Sequence, residues 1–177
     1  MTKKIIFSGF GGQGILSAGL LFAEAAIMEG FNATYFPSYG AEMRGGTANC
    51  HVIVSKGAIA SPIISKTDIL AAFNAPSLKK FYGRLKENGV IIFNSSVIKE
   101  EIGNLAAKIL GFRLDEICLE KLGSSKFANM ILLGILAKIT DLVKENSLIK
   151  AIENRFRAKG EKVFNSNIEA FKIGFAL

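Results

Sequence analysis

Cysteine and histidine are scarce in this chain of 177 residues, which holds two of the first and one of the second. Cys50 and Cys118 lie far apart with no Cys-x-x-Cys pair, which argues against an iron–sulfur or zinc site built by this chain alone. The single histidine, His51, directly follows Cys50 in an extended-looking run, where adjacent side chains point to opposite faces and do not share a metal. A packed thiol and an ordinary polar histidine are expected there. No Ser-His-Asp order with supporting motifs is present, so the residues assemble no stand-alone acid–base or nucleophilic machinery, and none is assigned a catalytic or metal-binding role.

Long apolar runs are also missing. The longest helical candidate, Met130–Ala137, is interrupted by Gly134 and bounded by Lys126 and Lys138, far short of the roughly 20 apolar residues a membrane span needs. Lys3 and Lys4 before Ile5-Ile6-Phe7 superficially resemble the start of a signal peptide. Gly11-Gly12-Gln13-Gly14 breaks that region and Glu24 follows, so a cytoplasmic location is expected, with no membrane partner. The net charge is +7, yet Lys and Arg are scattered along the helical segments beside Glu and Asp, without a short basic cluster interleaved with aromatics. That distribution argues against nucleic acid and fits acidic protein partners or a phosphorylated cofactor. Hydrophobic residues make up 50% of the chain and charged residues only 21%, more apolar surface than one small core needs. With no membrane span to absorb it, part of that surface is expected to lie against protein partners.

What is present reads as one α/β domain over residues 1–177, Rossmann-like, with a mainly parallel sheet flanked by helices. Lys4–Ser8 is a short β-type run, Gly9-Phe10-Gly11-Gly12-Gln13-Gly14 a turn, and Ile15–Met28 an alanine- and leucine-rich helix ended by Gly30. Phe31–Phe36 resumes an extended pattern, completing a first βαβ unit. The stretch from Pro37 to Gly46 reads as a structured functional loop. Further strands are expected at His51–Val54, Ile69–Phe73, Gly89–Phe93 and Arg113–Cys118, with crossover helices at Pro76–Leu85 and Ile98–Ile109. Later helices run from a cap at Ser124 or Ser125 to Ile139 and from Ser147 to Phe156, with a last apolar segment at Asn167–Phe175.

Gly9-x-Gly11-x-x-Gly14 between strand and helix fits the dinucleotide fingerprint, in which glycines let the backbone approach a phosphate and the helix N-terminus supplies amide donors. The acid expected at the end of the second strand for a ribose hydroxyl is absent, because that strand ends in Tyr35-Phe36-Pro37. Glycines that merely permit tight strand–helix packing remain the alternative. The following loop gathers Tyr39, Glu42 and Arg44 among Gly40, Gly45 and Gly46, where α/β proteins commonly assemble ligand sites. An arginine there can fork onto a carboxylate or phosphate, or pair with Glu42 within the loop. Asn129 and Asn167, at the start of or within apolar helices, are expected to bond a neighbouring backbone or meet a partner chain.

Taken together, Gly9-Phe-Gly-Gly-Gln-Gly-Ile15, Pro37-Ser-Tyr-Gly-Ala-Glu-Met-Arg-Gly-Gly46, Ser61-Pro62, Ala128-Asn129-Met130 and Asn167-Ile-Glu-Ala170 with Gly174 resemble the gamma subunit of 2-oxoacid:ferredoxin oxidoreductases, essentially end to end. The loop followed by Thr47-Ala48-Asn49-Cys50 is most similar to the 2-oxoglutarate members; branched-chain 2-oxoacid enzymes are close and pyruvate enzymes a poorer match. The resemblance implies an accessory subunit, inactive when isolated, of a complex that decarboxylates a 2-oxoacid oxidatively with coenzyme A, giving acyl-CoA, carbon dioxide and reduced ferredoxin. It implies alpha and beta subunits that hold thiamine diphosphate and Mg, iron–sulfur clusters on cysteine-rich chains, ferredoxin as acceptor, and no cofactor bound by this chain alone; a delta subunit is left open. It implies further that Gly9, Gly11, Gly12, Gln13 and Gly14, with Tyr39, Glu42, Arg44, Gly45 and Gly46, face the subunit interface or the coenzyme A path. Two readings of other classes stand beside it: a free-standing nucleotide-binding oxidoreductase, and a structural subunit whose glycines serve packing alone.

Overall fold

Ile5, Ile6, Phe7 and Ser8 are fully buried in succession, so β1 (Thr2–Phe10) carries packed side chains on both faces and lies inside the sheet. A computed structural model of the protein describes residues 1–39, 46–100, 102–103 and 106–177, Tyr39 by its backbone. After β1 come α1 (Ile15–Met28), β2 (Asn32–Tyr39), β3 (Thr47–Ser55), β4 (Thr67–Ala72), α2 (Ala75–Tyr82), β5 (Leu85–Asn94), β6 (Lys108–Phe112), α3 (Leu114–Leu122), α4 (Ala128–Thr140), α5 (Glu145–Phe156) and α6 (Glu161–Ala176). Short 3₁₀ turns at Ser125–Phe127 and Arg157–Lys159 lead into α4 and α6.

The strand order is β2-β3-β1-β4-β5-β6. β1, β4, β5 and β6 pair in parallel, whereas β3 runs antiparallel to both β1 and β2. The expected βαβ unit is therefore split. β1 and β2 do run the same way, but β3 lies between them, matching Phe7 to Cys50 on one side and Pro37 to Cys50 on the other. Periodicity identifies the strands, while their order depends on contacts far apart in the chain.

One face of the sheet carries α1, α3, α4, α5 and α6 around Phe7, Phe22, Val52 and Phe171; the other is covered by α2 and the irregular segment before β4 around Ile6, Ile53, Leu70 and Phe81. Each fully buried Ile, Leu or Phe contributes ~1.5–3 kcal/mol. Helix α1 can lie so close to the sheet because a Cβ on Gly19 would strike Cys50 Sγ and come within 3.2 Å of Phe7. Its C-terminus closes with Gly30 at φ 82°, where Gly30 N–H donates to the Ile27 carbonyl and Phe31 N–H to that of Ala26. Among the described residues no helix is long and apolar enough to cross a membrane.

Three local expectations are corrected. The crossover helix at Ile98–Ile109 is not formed by the described residues; β6 occupies Lys108–Phe112 beside β5, where parallel pairing from Val90↔Lys108 to Asn94↔Phe112 outweighs local helix propensity. Glu101, Asn104 and Leu105 lie outside the described residues. The strand expected at Arg113–Cys118 is the start of α3. Its free amides are capped from a distance, since Asn94 Oδ1 accepts from Leu114 N–H at 3.2 Å and Ser96 Oγ accepts from Asp115 and Glu116 at 3.2 and 3.3 Å. Finally, the loop expected from Pro37 opens as strand: β2 runs on to Tyr39, and Pro37 is tolerated because β2 is an edge strand.

Candidate functional site

The C-terminal ends of the parallel strands β1 and β4 bring together two turns, each opening a helix. At the first, the chain leaves β1, passes Gly11-Gly12-Gln13 and enters α1 through Gly14, whose φ of 73° and ψ of 12° lie in the left-handed region that favours glycine. Gln13 folds back beneath this turn. Its Oε1 accepts from Phe10 N–H at 2.7 Å and from Asn74 Nδ2 at 3.2 Å. A Cβ on Gly9 would come within 2.7 Å of that oxygen and 3.0 Å of Phe73 Cβ, so Gly9 is required by the packing of the turn.

At the second turn, Asn74 caps α2, accepting from Ser77 N–H at 2.9 Å, and Pro76 follows in the first helical turn. Ser77 Oγ returns a bond to the Gly9 carbonyl at 3.2 Å, and Phe73 N–H donates to the Ser8 carbonyl at 2.9 Å. From the opposite side Asn129, in the first turn of α4, donates through Nδ2 to the Gly14 carbonyl at 3.1 Å. A Cβ on Gly14 would collide with that amide. Gly11 N–H donates to the Gly46 carbonyl at 2.9 Å, which ties the residue before β3 to the glycine turn.

These contacts divide the sequence-derived candidates. Gly9, Gly11, Gln13, Gly14 and Gly46 are brought together and each is engaged within the chain. Gly12, at φ 97° with nothing within 4 Å of a would-be Cβ, faces open space. No side chain caps α1, so the amides of its first turn are offered to the shallow groove of about 200 Å³ that Gly11, Gly12, Ile15, Ser17 and Ala48 help to line. On the other side of Gln13 a second groove of about 230 Å³ is bordered by Phe73, Asp115 and Lys126. Tyr39 ends β2, while Glu42, Arg44 and Gly45 lie outside the described residues. Sequence reading missed Asn74 and Ser77, although Asn-x-Pro-Ser before a helical run is a legible start signal. Asn129 does bond a neighbouring backbone; Asn167 bonds its own helix, donating to the Val163 carbonyl at 2.7 Å.

The neighbour of β1 on the α1 side is the antiparallel β3, so the strand that would carry a dinucleotide's ribose-binding acid beside β1 is not there. Redox and nucleophilic roles find little support either. Burial pushes the Cys50 thiol far up, and burial, then the Asp115 carboxylate, raises that of Cys118, so both thiols stay protonated. Cys118 donates to the Ser124 carbonyl at 2.9 Å. His51 and Cys50 occupy opposite faces of β3, as expected: Cys50 packs under α1, and His51 Nδ1 accepts from Ile64 N–H at 3.0 Å. Among the described residues no three His, Cys, Asp or Glu side chains converge as metal ligands.

Residues 4–177 match the family described as pyruvate ferredoxin/flavodoxin oxidoreductase. The chain belongs to this family. Within it the chain is of the gamma-subunit type: the gamma subunit of a keto/oxoacid ferredoxin oxidoreductase from Geobacter sulfurreducens superposes with a TM-score of 0.84 at 31% identity, covering 98% of this chain and 96% of that one. The 2-oxoglutarate synthase subunit KorC of Archaeoglobus fulgidus is 34% identical over 174 residues, 98% of this chain and 87% of that protein. The ketoisovalerate oxidoreductase subunit VorA of Methanothermobacter thermautotrophicus is 36% identical over 173 residues, 97% of this chain, yet the chain spans only 35% of VorA's length. A 2-oxoglutarate:ferredoxin oxidoreductase from Magnetococcus marinus, solved with 2-oxoglutarate, coenzyme A and succinyl-CoA bound, superposes with a TM-score of 0.89 at 25% identity, covering 99% of this chain and 30% of that one.

Proposed function

We propose that this gamma-type chain, acting as one domain over residues 1–177, is an accessory subunit of a cytoplasmic 2-oxoglutarate:ferredoxin oxidoreductase. The complex converts 2-oxoglutarate and coenzyme A to succinyl-CoA and carbon dioxide and passes the electrons to ferredoxin. The substrate reading is supported by the likeness of the Tyr39–Cys50 stretch to 2-oxoglutarate members and by KorC of Archaeoglobus fulgidus, 34% identical over 98% of this chain. The identity to VorA is slightly higher, so a branched-chain 2-oxoacid enzyme is the second reading.

On this reading alpha and beta subunits supply thiamine diphosphate and Mg, and cysteine-rich chains or domains the iron–sulfur clusters; the two cysteines of this chain lie apart on β3 and α3. This chain's own contribution is to binding. The uncapped first turn of α1 and the open Gly12 present amide donors and a positive dipole end, which suit a phosphate such as those of coenzyme A. Gly9, Gly11, Gln13 and Gly14 hold that turn in shape, and Tyr39, Glu42, Arg44, Gly45 and Gly46 border the coenzyme A path, with Arg44 forking onto a phosphate. The isolated chain is inactive.

The test is anaerobic affinity purification of the tagged chain from its native host, followed by coenzyme A-dependent dye reduction with 2-oxoglutarate, 3-methyl-2-oxobutanoate or pyruvate. Co-elution of thiamine- and cluster-bearing subunits with activity on 2-oxoglutarate is expected; a preference for the branched substrate selects the second reading. In the intact complex Arg44→Ala should raise the apparent KM for coenzyme A, and an unchanged KM removes Arg44 from the path.

A further inference from the structure

The second face of the sheet, away from α1, has a surface that the proposed chemistry does not use. Its centre is a connected set of contacts running from the edge strand β2 to α2. The rings of Phe36 and His51 lie 6.4 Å apart, His51 Nδ1 accepts from Ile64 N–H, and the Ile64 carbonyl accepts from Arg84 Nη1 at 3.3 Å. Beside them Lys66 Nζ donates to the Gly83 carbonyl at 3.0 Å, and Arg84 and Lys80 lie 5.3 and 5.5 Å from the centre of the Phe81 ring. The segment between β3 and β4 is thereby fastened to the end of α2 as a fixed platform.

Two large apolar side chains stand out from this platform, Phe36 at 42% exposure and Ile63 at 60%. Contrary to the scatter expected from the sequence, the exposed Lys66, Lys80 and Arg84 are gathered beside them by the contacts to Gly83, Ile64 and the Phe81 ring. The only carboxylate between Lys56 and Lys86 is Asp68, which already accepts from Lys86 Nζ and from Lys4 N–H, both at 2.8 Å. None of Lys66, Lys79, Lys80 or Arg84 forms an ion pair among the described residues. A rigid apolar centre with a rim of cations that form no ion pair among the described residues is the complement of an acidic protein surface bearing an apolar tip. A nucleic-acid base stacks on Phe36 but gains little from Ile63, whereas an apolar-tipped protein surface uses both. In VorA and the Magnetococcus enzyme the matching module makes up 35% and 30% of a longer chain, so in those proteins it is joined to more polypeptide than itself.

We infer that the Phe36–Ile63 platform, with its rim of Lys66, Lys80 and Arg84, docks an acidic, apolar-tipped segment of another subunit of the same oxidoreductase. The inference rests on the proposed gamma-subunit role and adds to it which face meets the partner. Lys66, Lys80 and Arg84 set orientation and encounter rate, and Ile63 and Phe36 supply the desolvated anchor.

The experiment uses the complex purified without oxygen through the tagged chain. Lys66→Glu/Lys80→Glu and, separately, Ile63→Asp are compared with Lys162→Glu/Lys172→Glu on α6, across the sheet. Circular dichroism melting of each isolated chain confirms folding before assembly is scored. Both platform variants should recover other subunits about tenfold less well than wild type at low salt, and the α6 control should not. The charge variant's deficit should narrow toward roughly 1 M salt, where the screening length falls to about 3 Å, while that of Ile63→Asp persists. Folded platform variants that assemble like wild type overturn this inference and leave the gamma-subunit role standing. A wild-type chain that brings down no other subunit overturns both. Loss of self-association or of bound nucleic acid in the variants, with subunit recovery unchanged, assigns the face to a different occupant and likewise overturns the inference.

Discussion

Asn129 reaches across 115 positions of sequence to donate its Nδ2 hydrogen to the carbonyl of Gly14, in the space that a side chain on Gly14 would need. The left-handed entry to α1 and the first turn of α4 are thus one structural unit. Gly14→Ala should destabilise through both backbone strain of ~1–2 kcal/mol and the collision with Asn129. Asn129→Ala alone loses one hydrogen bond, about 1 kcal/mol. In the double variant the collision is gone and the strain stays, so the two costs should fall short of additivity by ~0.5–3 kcal/mol in urea unfolding. Simple additivity would show that the two residues do not couple.

Gln13 Oε1 meets two donors, Phe10 N–H and Asn74 Nδ2, so an oxygen is all the turn requires of it. Gln13→Glu should keep near wild-type stability at neutral pH. Gln13→Leu, which strands both donors, should cost ~1–3 kcal/mol. Amide exchange at Phe10 separates the outcomes: fast in the leucine variant and slow in the glutamate variant.

Helices α4 and α6 cross where Gly174 lies against the backbone of Ile131, and a Cβ on Gly174 would overlap the Ile131 carbonyl oxygen. Backbone cannot move aside as a flexible side chain can. Gly174→Ala is expected to lower stability by roughly 3 kcal/mol, whereas Gly57→Ala, with nothing within 4 Å, should stay within about 0.5 kcal/mol. A mild effect at Gly174 would mean that the helices separate easily.

Burial, and next the nearby Arg84 charge, lowers the His51 pKa below its ordinary 6.5. The unfolded chain therefore takes up this proton first as acid is added. Stability from neutral His51 is present in full above the ordinary value and is lost as pH falls through the depressed one. Thermal melts between about pH 7 and about pH 5 should show a steeper fall in Tm for wild type than for His51→Asn, whose Oδ1 still accepts from Ile64 N–H. Equal slopes would show that His51 does not contribute this loss.

Helix α1 was legible to its end residues because its signals are local: a glycine turn before Ile15, an apolar run, and Gly30 after Met28. The start of α3 was not, because its amides are capped by Asn94 and Ser96, residues that lie in and just after β5 rather than beside the helix. The site shows the same division. Gly9, Gly11, Gly12 and Gly14 announce a turn, yet which of them packs and which stays open follows from Gln13, Asn74 and Asn129 closing around them.

The amino-acid sequence by itself determined the α/β class, the strand–turn–helix at its start and the resemblance to a gamma subunit, because periodicity, glycine placement and long ordered motifs act over neighbouring residues. Tertiary structure decided the insertion of β3 between β1 and β2, the helical fate of Leu114–Leu122 and the division of the glycine turn into engaged and open positions. Those outcomes are set by backbone hydrogen bonds and side-chain collisions between segments distant in the chain, whose energies exist only once the sheet has formed.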